Sequence, residues 1–348
     1  MTGENQRGGP VLQPRLLALL VCPRCGSALA DGGGADPGAG DPGPAGGDTG
    51  LAGDVVCGRG HRFPVTRGYL DLSGEAAPDS TTARTFESFG YEWNAFDDVR
   101  DEDAGFAEVY FRDLDLSSLA GGTGLDAGCG KGRYTRFVAP HLAALVALDG
   151  SSAVEAAARN LAPFDNVVVV RSDLRRAPVA PGSLDLVLSL GVLHHLEDPR
   201  AGFASLVRLL APGGRILVYL YGRPARAGLR AGALAAAAQL RRVTVRLPHR
   251  LLRVLSAPVA LALWVGVVGL GSAGERLGIG PLARLPMASY RGTPLRSLML
   301  DTFDRLSAPV EHRYVWEDLA PWFAAEGLVV EAARDETGWF VLARRPTT

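Results

Sequence analysis

Short apolar runs alternate with amphipathic stretches between about residues 123 and 222, and this alternation dominates the hydrophobic pattern of the chain. The runs predict five strands, at residues 124–127, 145–148, 167–170, 184–190 and 215–221. Four consecutive valines form the third run, which indicates a strand buried on both faces. Strands that alternate with helices favour a parallel sheet covered by helices on both sides.

The rhythm is interrupted once and then resumes. Residues 223–300 are rich in Ala, Leu and Arg and predict a helical insertion after the fifth strand. Residues 301–345 return to the earlier pattern, with a helix at about 315–326 and strands at 328–332 and 339–343. The core therefore continues after the insertion.

The N-terminal part differs from the rest. Residues 31–53 are rich in Gly, Pro and Asp, without periodicity, and predict an irregular loop inside a small domain at 14–73. We therefore predict four parts: a small N-terminal domain (14–73), a core (84–222), an insertion or lid (223–300) and a C-terminal part of the core (301–345).

Composition sets limits on the function. The 348 residues are 47% hydrophobic and 21% charged, which excludes disorder of the whole chain, and the net charge of −1 excludes a uniformly basic nucleic-acid binder. The charge is uneven: residues 71–115 hold 13 acids and three arginines, whereas residues 199–274 hold 11 arginines and no acid. We expect an anionic acceptor or membrane to dock on the insertion, through Arg241, Arg242 and Arg246.

A glycine-rich loop follows the first core strand. Asp126 precedes Gly128, Gly130 and Gly132, a G-x-G-x-G spacing that differs from the dinucleotide fingerprint. Asp149 closes the second strand about twenty residues later, where a carboxylate can accept both ribose hydroxyls of an adenosine. We expect the chain's single lysine, Lys131, to point from this loop to solvent.

The loop resembles the S-adenosylmethionine motif of class I methyltransferases. Residues 172–174, 183–199 and 211–222 follow in order and resemble further motifs of the type 11 small-molecule group of that family. The resemblance implies a Rossmann-like α/β fold with a seven-stranded, mostly parallel sheet and S-adenosylmethionine as cofactor. It assigns the methionine part to Asp126, Gly128 and Gly130, the ribose to Asp149, the adenine to Asp173, and the methyl-donor side to Leu190 and Gly191.

Residues 88–98 resemble an N-terminal helix that closes over the cofactor in this family. Tyr91 and Trp93 either stack over the cofactor or pack on the sheet edge, and the sequence leaves both readings open.

Three cysteines and a histidine have the spacing of a metal site. Cys22 and Cys25 form a C-x2-C pair and Cys57 and His61 a C-x3-H pair, which suits a closed, tetrahedral, structural zinc site. Gly26 and Gly58 are expected to turn the two knuckles. Residues 57–72 resemble the zinc ribbon of bacterial rRNA guanine-N1 methyltransferases; a ribbon without metal is the alternative.

The acceptor is less well defined by the sequence. His194 and His195 follow the fourth strand and either serve as a general base or start a helix. The resemblance favours a small-molecule or lipid-linked acceptor, methylated by alignment with the sulfonium. An rRNA or tRNA base methyltransferase, with the ribbon binding RNA, is the alternative, and a catalytically silent scaffold is another.

The insertion contains a long uncharged segment. Residues 254–274 carry no charge and are long enough to span a bilayer, although Pro258 and four glycines weaken that reading. A lid packed on the core, peripheral membrane contact through 223–274 and a true span remain open. The polar N-terminus favours a cytoplasmic protein, and association with a membrane is left open. The oligomeric state is left open.

Overall fold

A computed structural model describes residues 12–32, 54–74, 78–99, 103–224, 228–285, 287, 290–336 and 338–347. Of the irregular loop predicted at 31–53, residues 33–53 lie outside the described part of the chain.

One mixed sheet runs through the described residues. Its eleven strands are β1 (Leu29–Asp31), β2 (Asp54–Cys57), β3 (Arg62–Thr66), β4 (Tyr69–Asp71), β5 (Thr123–Ala127), β6 (Ala144–Asp149), β7 (Val167–Arg171), β8 (Leu184–Leu190), β9 (Leu210–Tyr221), β10 (Val329–Asp335) and β11 (Gly338–Arg344). Their order is β1-β2-β3-β4-β7-β6-β5-β8-β9-β11-β10. The five strands predicted for the core are confirmed, with ends that differ by a few residues.

Strands β5 to β9 run parallel to one another. Strand β11 is antiparallel to both β9 and β10. The valines of β7 point alternately to the two faces, with Val168 and Val170 in one core cluster and Val167 and Val169 in the other. Because burial of a valine side chain stabilises the fold by about 1.5–3 kcal/mol, this strand anchors both helical layers.

The four N-terminal strands extend the same sheet, which the prediction of a seven-stranded sheet did not include. Strands β1 to β4 form an antiparallel meander, and β4 then pairs in parallel with β7, with Leu70 opposite Val170. These strands are three to five residues long, too short to give a periodic signal.

The helices are α1 (Pro14–Leu17), α2 (Ser80–Ala95), α3 (Asp103–Tyr110), α4 (Thr135–Val138), α5 (Val154–Leu161), α6 (Pro199–Val207), α7 (Leu229–Thr244), α8 (His249–Leu263), α9 (Leu270–Leu277), α10 (Gly280–Ala283), α11 (Leu295–Ser307) and α12 (Trp316–Ala325). A π-helical turn at Trp264–Gly269 joins α8 to α9. Helix α11 crosses the boundary that we predicted between residues 300 and 301.

The inserted helices pack on α11. Leu252 of α8 is buried against Phe303 and Leu306. Ala260 and Val268 form a second cluster with Leu298. Together α8, the π turn and α9 form one helix, His249–Leu277, that is long and apolar enough to cross a membrane, although only 22% of its most apolar window is buried.

Candidate active site

The glycine loop is held against the end of β6. The backbone N–H groups of Gly128 and Cys129 donate to the Leu148 carbonyl, at 2.7 and 2.9 Å. Gly128 has φ +88°, and a Cβ there would lie 2.4 Å from a methyl group of Val192. Any larger residue would therefore be strained and would clash at this position.

Asp149 organises the loop from the neighbouring strand. Its carboxylate accepts from the Gly130 N–H at 3.0 Å, from the Ser151 N–H at 2.8 Å and from the Ser151 hydroxyl at 2.6 Å. A carboxylate that is fixed by three donors holds its remaining lone pairs in a defined direction, as recognition of a ribose requires.

Asp126 lies under the loop and is buried. Its carboxylate accepts from the Thr135 hydroxyl at 2.6 Å. Burial and, to a smaller extent, the charge of Asp149 raise the pKa of Asp126, whereas the hydrogen bond from Thr135 lowers it. The net result is a pKa of about 6. The group is therefore ionised at neutral pH and can attract a cationic ligand.

Asp173 follows β7 and is engaged by a neighbour. The Arg175 guanidinium pairs with both carboxylate oxygens, at 2.6 to 3.0 Å. An adenine amino group would have to share Asp173 with Arg175. Leu190 ends β8, and Gly191 follows with φ +82°, beside the glycine loop across the β5–β8 pair.

Helix α2 covers this edge of the sheet. The ring of Phe86 lies where a Cβ on Gly150 would be, at 2.3 Å, and Asn94 donates to the Ser152 carbonyl at 2.9 Å. Trp93 packs on the glycine loop, since a Cβ on Gly130 would lie 3.0 Å from its Nε1. Trp93 and Tyr91 therefore have different surroundings. Trp93 faces the loop, whereas Tyr91 stacks on His249 of the insertion, with ring centroids 5.4 Å apart.

The prediction that Lys131 points to solvent is wrong. Its side chain is buried, and Nζ donates to the carbonyls of Phe96 and Asp98 at 2.7 and 2.6 Å. Carbonyls at the C-terminal end of a helix have no partner within the helix and attract an ammonium group. Lys131 therefore ties the end of α2 to the glycine loop.

The two histidines lie past β8 in different surroundings. His194 is fully buried, and its ring stacks on Tyr221 at 3.8 Å. Burial lowers the pKa of His194 well below its usual range, so the ring is neutral. His195 Nδ1 lies 2.7 Å from the Val310 carbonyl, which can only accept; the neutral ring therefore presents Nε2 as an acceptor.

Two buried acids lie beside these histidines, and the sequence analysis did not single out Glu92. Glu92 of α2 is 2% exposed and Asp304 of α11 is 9% exposed. Burial raises the pKa of Glu92, and Asp304 and Asp301 raise it further. One feature of the sequence could have indicated that Glu92 is buried: it lies between two aromatic residues, Tyr91 and Trp93, in a helix expected to face the cofactor.

The outer face of the insertion is apolar. Twelve of the thirteen exposed large apolar side chains in the described residues lie between 240 and 279, and the other is Val329. Arg242 and Arg246 are exposed at the end of α7. The expectation that Arg241 docks a ligand is wrong, because this residue is buried and pairs with Glu311 at 2.7 Å, 70 positions away.

A cavity of about 570 Å³ opens between α2, α8 and α11. Its lining combines apolar groups with two cations: Tyr91, Arg250, Arg253, Val254, Ala257 and Met299. Val254 is also among the exposed apolar residues of the insertion, so the cavity adjoins the apolar face.

The four predicted metal ligands come together. Their donor atoms all lie within 4.8 Å of one another. His61 Nδ1 is 3.4 Å from the Cys22 sulfur and 3.3 Å from the Cys57 sulfur, and the sulfurs of Cys25 and Cys57 are 3.8 Å apart. Thiolate and imidazole ligands of a tetrahedral zinc lie about 3.4–3.8 Å apart, so the cluster fits this ion.

The thiols of the cluster differ: burial raises the pKa of Cys22, whereas hydrogen bonds lower the pKa of Cys25 and of Cys57. Burial opposes ionisation of Cys57, but the backbone N–H groups of Arg59 and His61 outweigh it and lower the pKa to about 6. Gly26 turns the first knuckle with φ +71°, as expected, whereas the left-handed residue of the second is Gly60 rather than Gly58.

Part of this core matches a known protein domain. Residues 125–218 match the family model described as a methyltransferase domain. The malonyl-acyl-carrier-protein O-methyltransferase of Hahella chejuensis is 40% identical over 97 residues, which cover 27% of this chain and 34% of that protein. A ubiquinone biosynthesis O-methyltransferase of Methylococcus capsulatus is 29% identical over 170 residues, covering 48% of this chain and 70% of that protein.

A solved structure of the 1,6-didemethyltoxoflavin N1-methyltransferase of Burkholderia thailandensis aligns with a TM-score of 0.46 and 13% identity, over 82% of this chain and 95% of that one. The domain match and the methyltransferase relatives support an S-adenosylmethionine-dependent methyltransferase, the enzyme class predicted from the sequence. The chain spans about a third of the length of several curated relatives that it matches.

Proposed function

We propose that this chain transfers a methyl group from S-adenosylmethionine to a small-molecule or lipid-linked acceptor. The observation that carries the proposal is the glycine loop tied to Asp149 within the matched methyltransferase domain. Asp126, Gly128 and Gly130 hold the methionine part, Asp149 the ribose hydroxyls and Asp173 the adenine, while Leu190 and Gly191 line the methyl-donor side.

When bound, S-adenosylmethionine supplies an already activated methyl group, so the protein mainly orients the acceptor. Trp93 and the rest of α2 exclude water from the loop. Where the acceptor must lose a proton, His195 is the better placed of the two histidines, because its Nδ1 is held by the Val310 carbonyl and its Nε2 can accept. His194 is buried against Tyr221 and has a positioning role.

A lipid-like acceptor is favoured by the insertion. One face of α8 and of the π-helical turn packs on α11, whereas Val254, Leu255, Val259 and Val265 of the same two segments are exposed. A helix that is packed on one side, apolar on the other and flanked by arginines is suited to lie in the plane of an anionic membrane surface. The packed face argues against a span, since the helix would have to leave α11.

The Cys22, Cys25, Cys57 and His61 cluster is proposed to hold a structural zinc ion. With four protein ligands the site is closed, and the ion would fix the N-terminal meander against β7 rather than take part in methyl transfer.

The acceptor class can be tested with methyl-labelled S-adenosylmethionine and an extract of the source organism that has been split into RNA, lipid and small-molecule fractions. We expect label in the lipid or small-molecule fraction. Label confined to RNA would establish the RNA-directed alternative, and label in no fraction, together with no cofactor binding, would leave the scaffold alternative.

Metal analysis tests the ribbon. The purified protein is expected to carry about one zinc per chain, and Cys25→Ser is expected to lose the ion and unfold at a lower temperature. Cys129→Ala is the matched control, because Cys129 is buried in the glycine loop, away from the cluster. A Cys25→Ser protein that keeps its metal and its Tm would refute the site.

A further inference from the structure

Unpartnered buried polar atoms are concentrated in one place. Seven buried side-chain N and O atoms of the described residues have no hydrogen-bond partner, and four of these belong to three neighbouring residues. They are Glu92 Oε2, Asp304 Oδ1, and Nδ1 and Nε2 of His194. We call these three residues, with Tyr221, the buried polar cluster.

Direct contacts join three members of the cluster. The Tyr221 hydroxyl donates to Asp304 Oδ2 at 3.0 Å, and the His194 ring stacks on the Tyr221 ring at 3.8 Å. The second oxygen of Asp304 is left as an unpaired acceptor, and a neutral His194 adds one unpaired donor and one unpaired acceptor.

Glu92 reaches the cluster from α2. Helices α2 and α11 pack together, because the Ser88 hydroxyl donates to the Ser307 carbonyl at 3.2 Å and the rings of Tyr91 and Phe303 are 5.7 Å apart. Glu92 follows Ser88 by four residues and lies on the same face of α2. Asp304 is adjacent to Phe303 in α11, and its charge adds to the effect of burial in raising the pKa of the Glu92 carboxyl.

The cluster lies beside the proposed cofactor site. Tyr221 is the last residue of β9, and His194 follows the end of β8 by four positions. Ligands of open α/β sheets bind at these carboxyl ends. Trp93, the residue after Glu92, contacts the glycine loop at Gly130. One short segment of α2 therefore touches both the cofactor loop and the cluster.

Unpaired buried polar atoms are costly, and folded proteins contain few of them. From the four in this cluster and their position we infer that Glu92 and Asp304 bind the methyl acceptor, accepting hydrogen bonds from a hydroxyl or amino group at the end that is methylated. This inference rests on the proposed function and deepens it.

The charges around the cluster define the class of acceptor. Glu92, Asp304 and Asp301 face one another, while Arg305 and Lys131 offset part of their charge. An alcohol, phenol or amine satisfies the two carboxyl groups. A carboxylate or phosphate in the same place would add a negative charge next to them and is disfavoured.

A pair of amphiphilic probes tests the inference. We expect 4-nonylphenol to bind the complex with S-adenosylhomocysteine, and 4-nonylbenzoate, which has the same tail and an anionic end, to bind at least tenfold more weakly. In Glu92→Gln and in Asp304→Asn, binding of the phenol should weaken about tenfold or more, because one carboxyl oxygen is replaced by an NH2 group, which donates and cannot accept the hydrogen bond of the phenol. Glu87→Gln is the matched control, since Glu87 lies on the same helix α2 but its side chain is 72% exposed.

Two further readouts separate the explanations. Both variants should keep the affinity of the wild type for S-adenosylhomocysteine, and their Tm should be unchanged or higher, because two neighbouring acids no longer compete for a proton at one buried site; a purely structural pair would lose Tm instead. Equal binding of the two probes, binding of neither, or unchanged phenol binding in both variants would overturn the inference. Failure of the wild type to bind S-adenosylhomocysteine would contradict the proposed function instead.

Discussion

The two halves of the sheet's carboxyl edge are built differently. At the ends of β5 and β6, the polar groups of the glycine loop and of Asp149 are paired with one another before any ligand binds. At the ends of β8 and β9, Glu92, His194 and Asp304 are buried with unpaired atoms, and the covering helices expose an apolar face. A preformed site suits a fixed ligand such as a cofactor, whereas unpaired buried groups beside an apolar face suit the acceptor site that we propose for the second half.

The largest expected effect comes from breaking the cofactor half. Asp149→Ala removes the acceptor of the ribose hydroxyls and also frees Gly130, so affinity for S-adenosylhomocysteine should fall about 1,000-fold, as expected for two lost hydrogen bonds to a charged group. Calorimetry measures the change, with Asp165→Asn as an exposed control. Binding of the variant to vesicles should not change; wild-type cofactor affinity would remove Asp149 from the site.

A second pair of substitutions targets the exposed apolar face of the insertion, in the half of the molecule that we propose binds the acceptor. Val254→Glu with Val265→Glu should weaken binding to phosphatidylglycerol vesicles roughly 100-fold, because two exposed apolar side chains no longer enter the interface. Co-sedimentation measures this. The control is Val329→Glu, which alters an exposed valine outside the insertion. If both proteins sediment alike, the membrane contact is refuted.

Arg242 and Arg246 test whether the proposed membrane contact depends on charge. Arg242→Gln with Arg246→Gln should lower affinity for phosphatidylglycerol vesicles about 30-fold, at about 1 kcal/mol for each charge, and should have little effect on phosphatidylcholine vesicles. The effect should shrink as salt increases. An equal loss on both lipids would show that the charges do not act on the membrane.

The smallest effect is a pH dependence on the cofactor side. The pKa of Asp126 is raised to about 6, so its carboxylate becomes protonated as the pH falls and no longer attracts the cationic methionine part. Affinity for S-adenosylmethionine should therefore fall about tenfold between pH 7.5 and pH 5. In Asp126→Asn the affinity should be lower and the slope between these pH values should disappear; an unchanged slope would assign it to another group.

Local patterns in the sequence predicted much of the fold and the position of two candidate sites. Continuous apolar runs located the core strands, and the spacing of the cysteines, of His61 and of the glycines located the Cys/His cluster and the loop. Features that depend on contacts between distant segments were missed. Strand β4 joins β7 about 100 residues away, and Arg241 pairs with Glu311.

The same limit explains the buried acids and Lys131. An acidic residue in a helix is usually solvated, and nothing adjacent to Asp304 in the sequence indicates that it is buried and accepts from Tyr221. The environment of Lys131 is set by the end of α2, more than 30 residues earlier.

The central claim is that one edge of the sheet binds the cofactor and the adjoining half brings a lipid-like acceptor to it. The most direct test compares methyl transfer from labelled S-adenosylmethionine into the lipid fraction of an extract by the wild type, by Asp149→Ala and by Val254→Glu with Val265→Glu. The account predicts transfer by the wild type, none by Asp149→Ala, and reduced transfer with intact cofactor affinity by the valine variant. Label that enters RNA instead, or equal transfer by all three proteins, would contradict it.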